Sequence, residues 1–139
     1  MIAERSAGVI LYTEENNKQL FLLLNYPTGH WDFIKGKIEI NETLHQTAIR
    51  ETEEETGIVD LDFIHSFEEK INYNFMFNKT LIHKEVVFFL AKTNTKNITL
   101  SHEHLDYLWL EFDESIKKIT YDNAKNVLIQ AKNYLLKIS

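Results

Sequence analysis

The stretch Gly36–Ile58, GKIEINETLHQTAIRETEEETGI, places Glu51, Glu54 and Glu55 just ahead of Gly57. Spacings of i, i+3 and i+4 put the three carboxylates on one face of a helix, within an arc of about 100°. Ala48, Ile49, Thr52 and Thr56 fill the neighbouring arc and mark a face turned toward a core, while Glu42 and Glu53 point elsewhere. A bare helix is poorly served by this. Like charges three or four residues apart cost roughly 0.2–0.5 kcal/mol per pair. The cluster also lies in the last turns before a glycine cap, where the helix dipole disfavours negative charge. The arrangement calls for a compensating cation. Oxygen ligands, in a chain without cysteine, suit a hard divalent ion, Mg²⁺ or Mn²⁺.

A pair of glutamates alone is most simply a solvated helix face. The whole segment says more. Gly36, Glu42, Arg50, Glu51, Glu54, Glu55 and Gly57 stand at the spacing Gly-x5-Glu-x7-Arg-Glu-U-x-Glu-Glu-x-Gly-U, with U a bulky apolar residue. Seven fixed residue types meet by chance at a given start on the order of once in 10⁸. The segment resembles the Nudix box, the signature of the Nudix hydrolases. Its single departure is Thr52, where an aliphatic residue is usual; threonine still offers a methyl group to the core.

At 139 residues with a formal charge of −6, the chain reads as one domain, residues 1–139, with enough length to bury a core. A binder of polyanions held by bulk electrostatics would be basic, so a polyphosphate here must be held by local lysines and a metal. Of the 15 Lys and Arg residues only Arg5 and Arg50 are arginine. In so lysine-biased a chain, Arg50 inside the box points to a geometric need: a planar guanidinium holds two carboxylates where an ammonium does so less well. Glu53 and Glu54 lie within its helical reach. No run of about 18 apolar residues occurs, so no membrane helix is expected. The N-terminus does not resemble a signal peptide. The absence of cysteine excludes disulfides and thiolate sites and fits a cytoplasmic protein.

Hydrophobic spacing predicts strands over Ala7–Tyr12 and Leu20–Asn25, and a short extended piece at Trp31–Ile34. A loop is expected over Lys35–Ile40, then a helix from Glu42 to Thr56 with Asn41 as N-cap. Strands follow over Ile58–Phe67, Glu69–Phe77, Leu81–Ala91 and Tyr107–Phe112, with a turn at Asn78–Thr80. A final amphipathic helix begins at Thr120 or Asp122 and carries Ala124, Val127, Leu128, Ala131 and Leu135 inward. The order predicts an α/β protein with a mixed sheet between helical layers; the Nudix resemblance implies the same α/β/α sandwich.

The flanks add a finer resemblance. AERSAG (Ala3–Gly8), HWDFIKGKIE (His30–Glu39), INYNF (Ile71–Phe75), KEVVFFLAK (Lys84–Lys92) and LSHEHLDYLWL (Leu100–Leu110) are together similar to the asymmetrical diadenosine tetraphosphate hydrolases of animal and archaeal type. Ile34 and Lys37 depart from that pattern, where proline and often histidine are usual. The resemblance implies Glu51, Glu54 and Glu55 as metal ligands, joined by the carbonyl of Gly36, whose lack of a side chain admits close approach. It implies Glu103 as a distal carboxylate that binds metal or acts as base. Lys35, Lys37 and Lys84 are the expected phosphate contacts, Tyr73 and Tyr107 the pair that sandwiches an adenine, and His30, His102 and His104 further substrate contacts. Arg50 completes the catalytic set. The implied reaction is attack of water on phosphorus, giving ATP and AMP, with Glu51, Glu55 or Glu103 taking the proton. The expected partner is a small nucleotide, with neither membrane nor nucleic acid, and the expected state a monomer. Two rivals use the same box: removal of pyrophosphate from RNA 5′ ends, and hydrolysis of nucleoside triphosphates. A third is a nucleotide sensor without turnover.

Overall fold

A computed structural model describes residues 2–139 of the chain. Strand β1 (Ile2–Glu15) is buried on both faces through its middle: Ala7, Val9 and Leu11 face one core, Ile10 and Tyr12 the other, as a central strand requires. It runs parallel to β7 (Thr80–Lys92), from Ile2 opposite Ile82 to Tyr12 opposite Lys92. Its other edge serves two strands in turn. Residues 6–9 pair antiparallel with β4 (Ile34–Lys37), and residues 12–15 with β2 (Lys18–Asn25). The sheet therefore splits between Val9 and Tyr12. Strands β3 (Trp31–Asp32) and β8 (Asp106–Leu110) pair with β2, and β5 (Asp62–Phe63) and β6 (Glu69–Phe77) with β7.

Helix α1 (Leu44–Thr56) covers the face carrying Val9, Leu22, Leu24 and Phe89; α3 (Asp122–Ile138) covers the face carrying Ile10, Phe21, Phe88 and Leu90. The result is the expected α/β/α sandwich on a mixed sheet. The inward stripe of α3 is Ala124, Val127, Leu128, Ala131 and Leu135, as its spacing predicts.

Several boundaries differ from the sequence reading. The N-cap of α1 is Thr43, not Asn41. The Thr43 hydroxyl accepts the Gln46 N–H at 3.1 Å and the Gln46 side chain accepts the Thr43 N–H at 2.8 Å. This reciprocal capping box outcompetes a lone asparagine, and Asn41 takes a left-handed turn instead (φ 66°). Lys35–Lys37 is strand rather than loop. Within Ile58–Phe67 only Asp62–Phe63 is strand, because the Asp60 carboxylate folds the preceding segment onto a loop, accepting from Thr93, Asn94 and Thr95. The strand expected over Tyr107–Phe112 ends at Leu110. Phe112 opens a helix that the spacing did not predict, α2 (Phe112–Lys118), with Asp113 and Glu114 in its first turn and Lys117 and Lys118 in its last, in line with the helix dipole. Ile49, expected on the core face of α1, is 43% exposed.

Candidate active site

Gly57 ends α1 in a left-handed conformation (φ 78°), its N–H donating to the Glu53 carbonyl at 2.8 Å. Thr52 is fully buried, and its hydroxyl donates to the Ala48 carbonyl at 2.7 Å. The polar group at an otherwise aliphatic position is thus satisfied within the helix. The flank of α1 beside that stripe, carrying Glu51, faces β4.

Arg50 organises that flank. Its guanidinium grips Glu42 with two donors, Nε to Oε2 at 2.6 Å and Nη2 to Oε1 at 3.1 Å. It also donates to Glu51 (2.8 Å), Glu54 (3.2 Å) and the Lys37 carbonyl (3.0 Å). Glu54 and Glu51 are its helical partners, whereas Glu53 is not, and Glu42 proves to be its main anchor. Hydrogen bonds from Arg50 first, then from Thr47, hold the Glu42 carboxyl down to about 2.

Gly36 lies opposite Ala7 on β4, directly under Glu51. A β-carbon at Gly36 would stand 2.0 Å from the Glu51 carboxyl carbon. Glu55 is 3% exposed and His104 is 7% exposed. The His104 Nε2 stands 3.0 Å from Glu55 Oε1, yet neither Glu55 oxygen has a well-formed hydrogen bond among the described residues. Burial first, then the adjacent Glu51 carboxyl, then Glu103 and Glu54, push the Glu55 carboxyl up to about 10. Burial also lowers the His104 imidazole, which disfavours an ion pair between the two. Glu51, Glu55, Glu103, Lys35, Tyr26 and His104 line a cavity of 350 Å³.

These features fit a divalent cation: orphaned buried carboxylate oxygens, a backbone cradle only glycine can form, and oxygen donors throughout. Among the described residues no three acidic or histidine side chains converge as a finished ligand sphere. Glu51 and Glu54 are turned to Arg50, and Glu54 is 56% exposed and does not line the cavity.

A second cavity, of 410 Å³, adjoins the first. Ile71, Tyr73, Phe75 and Tyr121 supply its apolar and aromatic wall, and His30, Asp32, Lys35 and Asn123 its polar one. His30 lies parallel on Tyr26 (4.7 Å, 4°) and 5.3 Å from Tyr121, while Tyr26 meets His104 edge-on at 4.6 Å. This aromatic run links the two cavities. Lys84 stands opposite Tyr73 in the β6–β7 ladder, half-buried and without an ion pair among the described residues; burial and then the nearby Lys35 lower its pKa. Lys37 is exposed and paired to Glu4 at 3.0 Å. His102 is exposed and is not among the residues that line either cavity.

One expected pairing fails. Tyr73 packs on the α3 side of the sheet and Tyr107 on the α1 side, because Tyr107 lies opposite Leu24 in the β2–β8 register. The two cannot close on one base. The aromatic facing Tyr73's cavity is Tyr121, at the entry to α3. Asp32, Tyr26, Asn123 and the Arg50-anchoring role of Glu42 also went unread in the sequence. The signal for Tyr121 was an aromatic just ahead of a helix, a feature too common to single out.

A split mixed sheet, a glutamate helix set on glycine, and a neighbouring cavity with an aromatic wall together frame the candidate site. The Nudix domain family matches residues 3–131, and the chain belongs to the Nudix hydrolase family, whose members generally need divalent metal ions. It is 34% identical to a pig protein named bis(5′-nucleosyl)-tetraphosphatase (asymmetrical), over 96% of this chain and 97% of that one. It is 32% identical to the Caenorhabditis elegans protein of the same name, over 94% and 96%. A crystal structure of a C. elegans Ap4A hydrolase binary complex superposes with a TM-score of 0.86, at 32% identity, covering 96% of this chain and 98% of that one. Among the described residues no helix is long and apolar enough to cross a membrane.

Proposed function

We propose that residues 1–139 act as a single domain that hydrolyses diadenosine tetraphosphate asymmetrically, to ATP and AMP, with Mg²⁺ or Mn²⁺. The observation that carries this reading is the adjacency of two cavities, one acidic and one aromatic, sharing Lys35. The names of the full-length relatives support the choice of substrate. One adenosine lies between Tyr73 and Tyr121, beside His30, where stacking is worth roughly 1–3 kcal/mol. Its phosphate chain passes Lys35 toward the glutamates, with Lys84 and Lys37 alongside.

Glu51, Glu54, Glu55, Glu103 and the Gly36 carbonyl would hold the cation, and Arg50 ties Glu51 and Glu54 to Glu42. A divalent cation bound there supplies charge neutralisation at the phosphates and acidifies water. Glu55, Glu51 or Glu103 accepts the proton of the water that attacks phosphorus in line. His104 fixes the loop that presents Glu103, its Nδ1 sharing a hydrogen bond with the Ser101 hydroxyl at 3.0 Å; His102 lies beside the outgoing phosphates. Both cavities are built within one chain, which suits a monomer. A chain without cysteine needs no oxidising compartment, which suits the cytoplasm.

Competition separates this reading from its rivals. With diadenosine tetraphosphate, dATP, ADP-ribose and a short 5′-triphosphate RNA in one tube with Mg²⁺, the dinucleotide is expected to be consumed first. Preferential loss of the RNA or the mononucleotide would overturn the substrate assignment, and binding without turnover of any would overturn the enzyme.

A further inference from the structure

Among the described residues Lys35 alone lines both cavities, and its position is set from behind. Asp32 ends β3, where it pairs with Leu24, and Lys35 sits in β4 opposite Gly8. Phe33, between them, is fully buried. The two side chains are therefore mounted on separate strands with a buried residue between them. Asp32 Oδ2 accepts from Lys35 Nζ at 3.0 Å, and Oδ1 accepts the Phe33 N–H at 2.7 Å. The Asp32 side chain is 4% exposed and that of Lys35 is 15%.

The other two lysines of the region are held differently. Lys37 meets Glu4 in the open, at 65% exposure, and Lys84 has no carboxylate partner among the described residues. A buried ion pair is a poor way to stabilise a fold, since desolvation offsets most of the attraction. What it does provide is a fixed point. An ammonium has three donors; Asp32 takes one, and Tyr73, whose ring lies 5.9 Å away, is its other polar neighbour. The remainder are left for a ligand that crosses from one cavity to the other.

We infer that Asp32 is a positioning residue. It holds the Lys35 ammonium at the junction, where the lysine takes the phosphate that joins the nucleoside to the part of the chain lying among the glutamates. This rests on the proposed reading that a nucleoside polyphosphate spans the two cavities. Asp32 acts only through Lys35, and that sets its test. Asp32→Asn keeps the shape and the acceptor for the Phe33 N–H while removing the charge that fixes the lysine.

The experiment is a double-mutant cycle: wild type, Asp32→Asn, Lys35→Met and the double variant, compared in kcat/KM with whichever nucleoside polyphosphate the wild type turns over fastest. Asp32→Asn is expected to lose about tenfold and Lys35→Met about a hundredfold. The double variant is expected to be no worse than Lys35→Met alone. Losses that multiply in the double variant, as general weakening of the fold would give, overturn the inference. So does an Asp32→Asn enzyme within twofold of wild type. If wild type turns over no such substrate, the proposed function has failed, and calorimetric binding of ADP to the same four proteins judges Asp32 independently. Affinity for ADP unchanged by Asp32→Asn would then overturn its role, and a loss absent from the Lys35→Met background would support it.

Discussion

The carboxyl group of Glu51 occupies the space that a β-carbon on Gly36 would fill, 2.0 Å from where that atom would stand. Glycine at this position lets α1 carry the Glu51 carboxyl close over β4. Because the obstructing group is the end of a flexible side chain, Gly36→Ala is expected to fold normally while driving Glu51 aside. Displacement of about 1 Å at a site of this kind costs on the order of 10²-fold in rate. Unchanged circular dichroism with kcat down by about that factor is the expected pair of results; unimpaired kcat would detach Gly36 from the site.

Glu55 is expected to show opposite effects on rate and stability. Its carboxyl is held at about 10 against an ordinary 4.5. Between those values the metal-free folded chain binds more protons at this residue than the unfolded one, so stability falls as pH rises through that window. Glu55→Gln removes the penalty. At pH 8 without metal the variant is expected to melt above wild type, to gain less from added Mg²⁺, and to lose about 10²–10⁴-fold in kcat. Scanning calorimetry with and without Mg²⁺ reads the first two, and a variant that melts below wild type in metal-free buffer would contradict the account.

Glu42 gives the acid limb. Arg50 holds it at about 2, below the ordinary 4.5. Stability contributed by this carboxylate is complete above about 4.5 and is lost as pH falls toward 2. Wild type is expected to lose melting temperature more steeply than Glu42→Gln across that interval. Parallel slopes would show that Arg50 does not depend on Glu42.

Arg50→Lys exchanges a planar fork for a single ammonium that cannot serve Glu42, Glu51 and Glu54 together. A drop of several degrees in melting temperature is expected, with kcat reduced at least tenfold at saturating Mg²⁺. Activity near wild type in the lysine variant would mean that charge alone suffices.

The aromatic wall divides cleanly. Tyr121→Ala is expected to raise KM by about tenfold, the loss of one stacking platform, whereas Tyr107→Leu, which removes the ring but keeps an apolar side chain on the α1 side, is expected to leave KM within about twofold of wild type. Reversed sensitivities, read from substrate titrations, would return Tyr107 to the base site.

These residues also show what a sequence can and cannot disclose. The glutamate helix was legible because its 3.6-residue period fixes which side chains share a face whatever the surroundings. Gly57 and the inward stripe of α3 were legible for the same local reason. Tyr107 was misassigned because the face of a strand residue depends on the register of β8 against β2, a non-local fact. Tyr121 and Asp32 gain meaning only when a helix entry and a two-residue strand meet across a cavity. Thr43 and α2 were readable in principle, through a capping box and an acid-to-base run, but each competed with an equally ordinary alternative next to it.

The most direct measurement is the product pattern from diadenosine tetraphosphate incubated with the purified protein and Mg²⁺, resolved by chromatography before secondary breakdown. Equal amounts of ATP and AMP are the expected result. Two molecules of ADP, or an intact dinucleotide, would contradict the assignment.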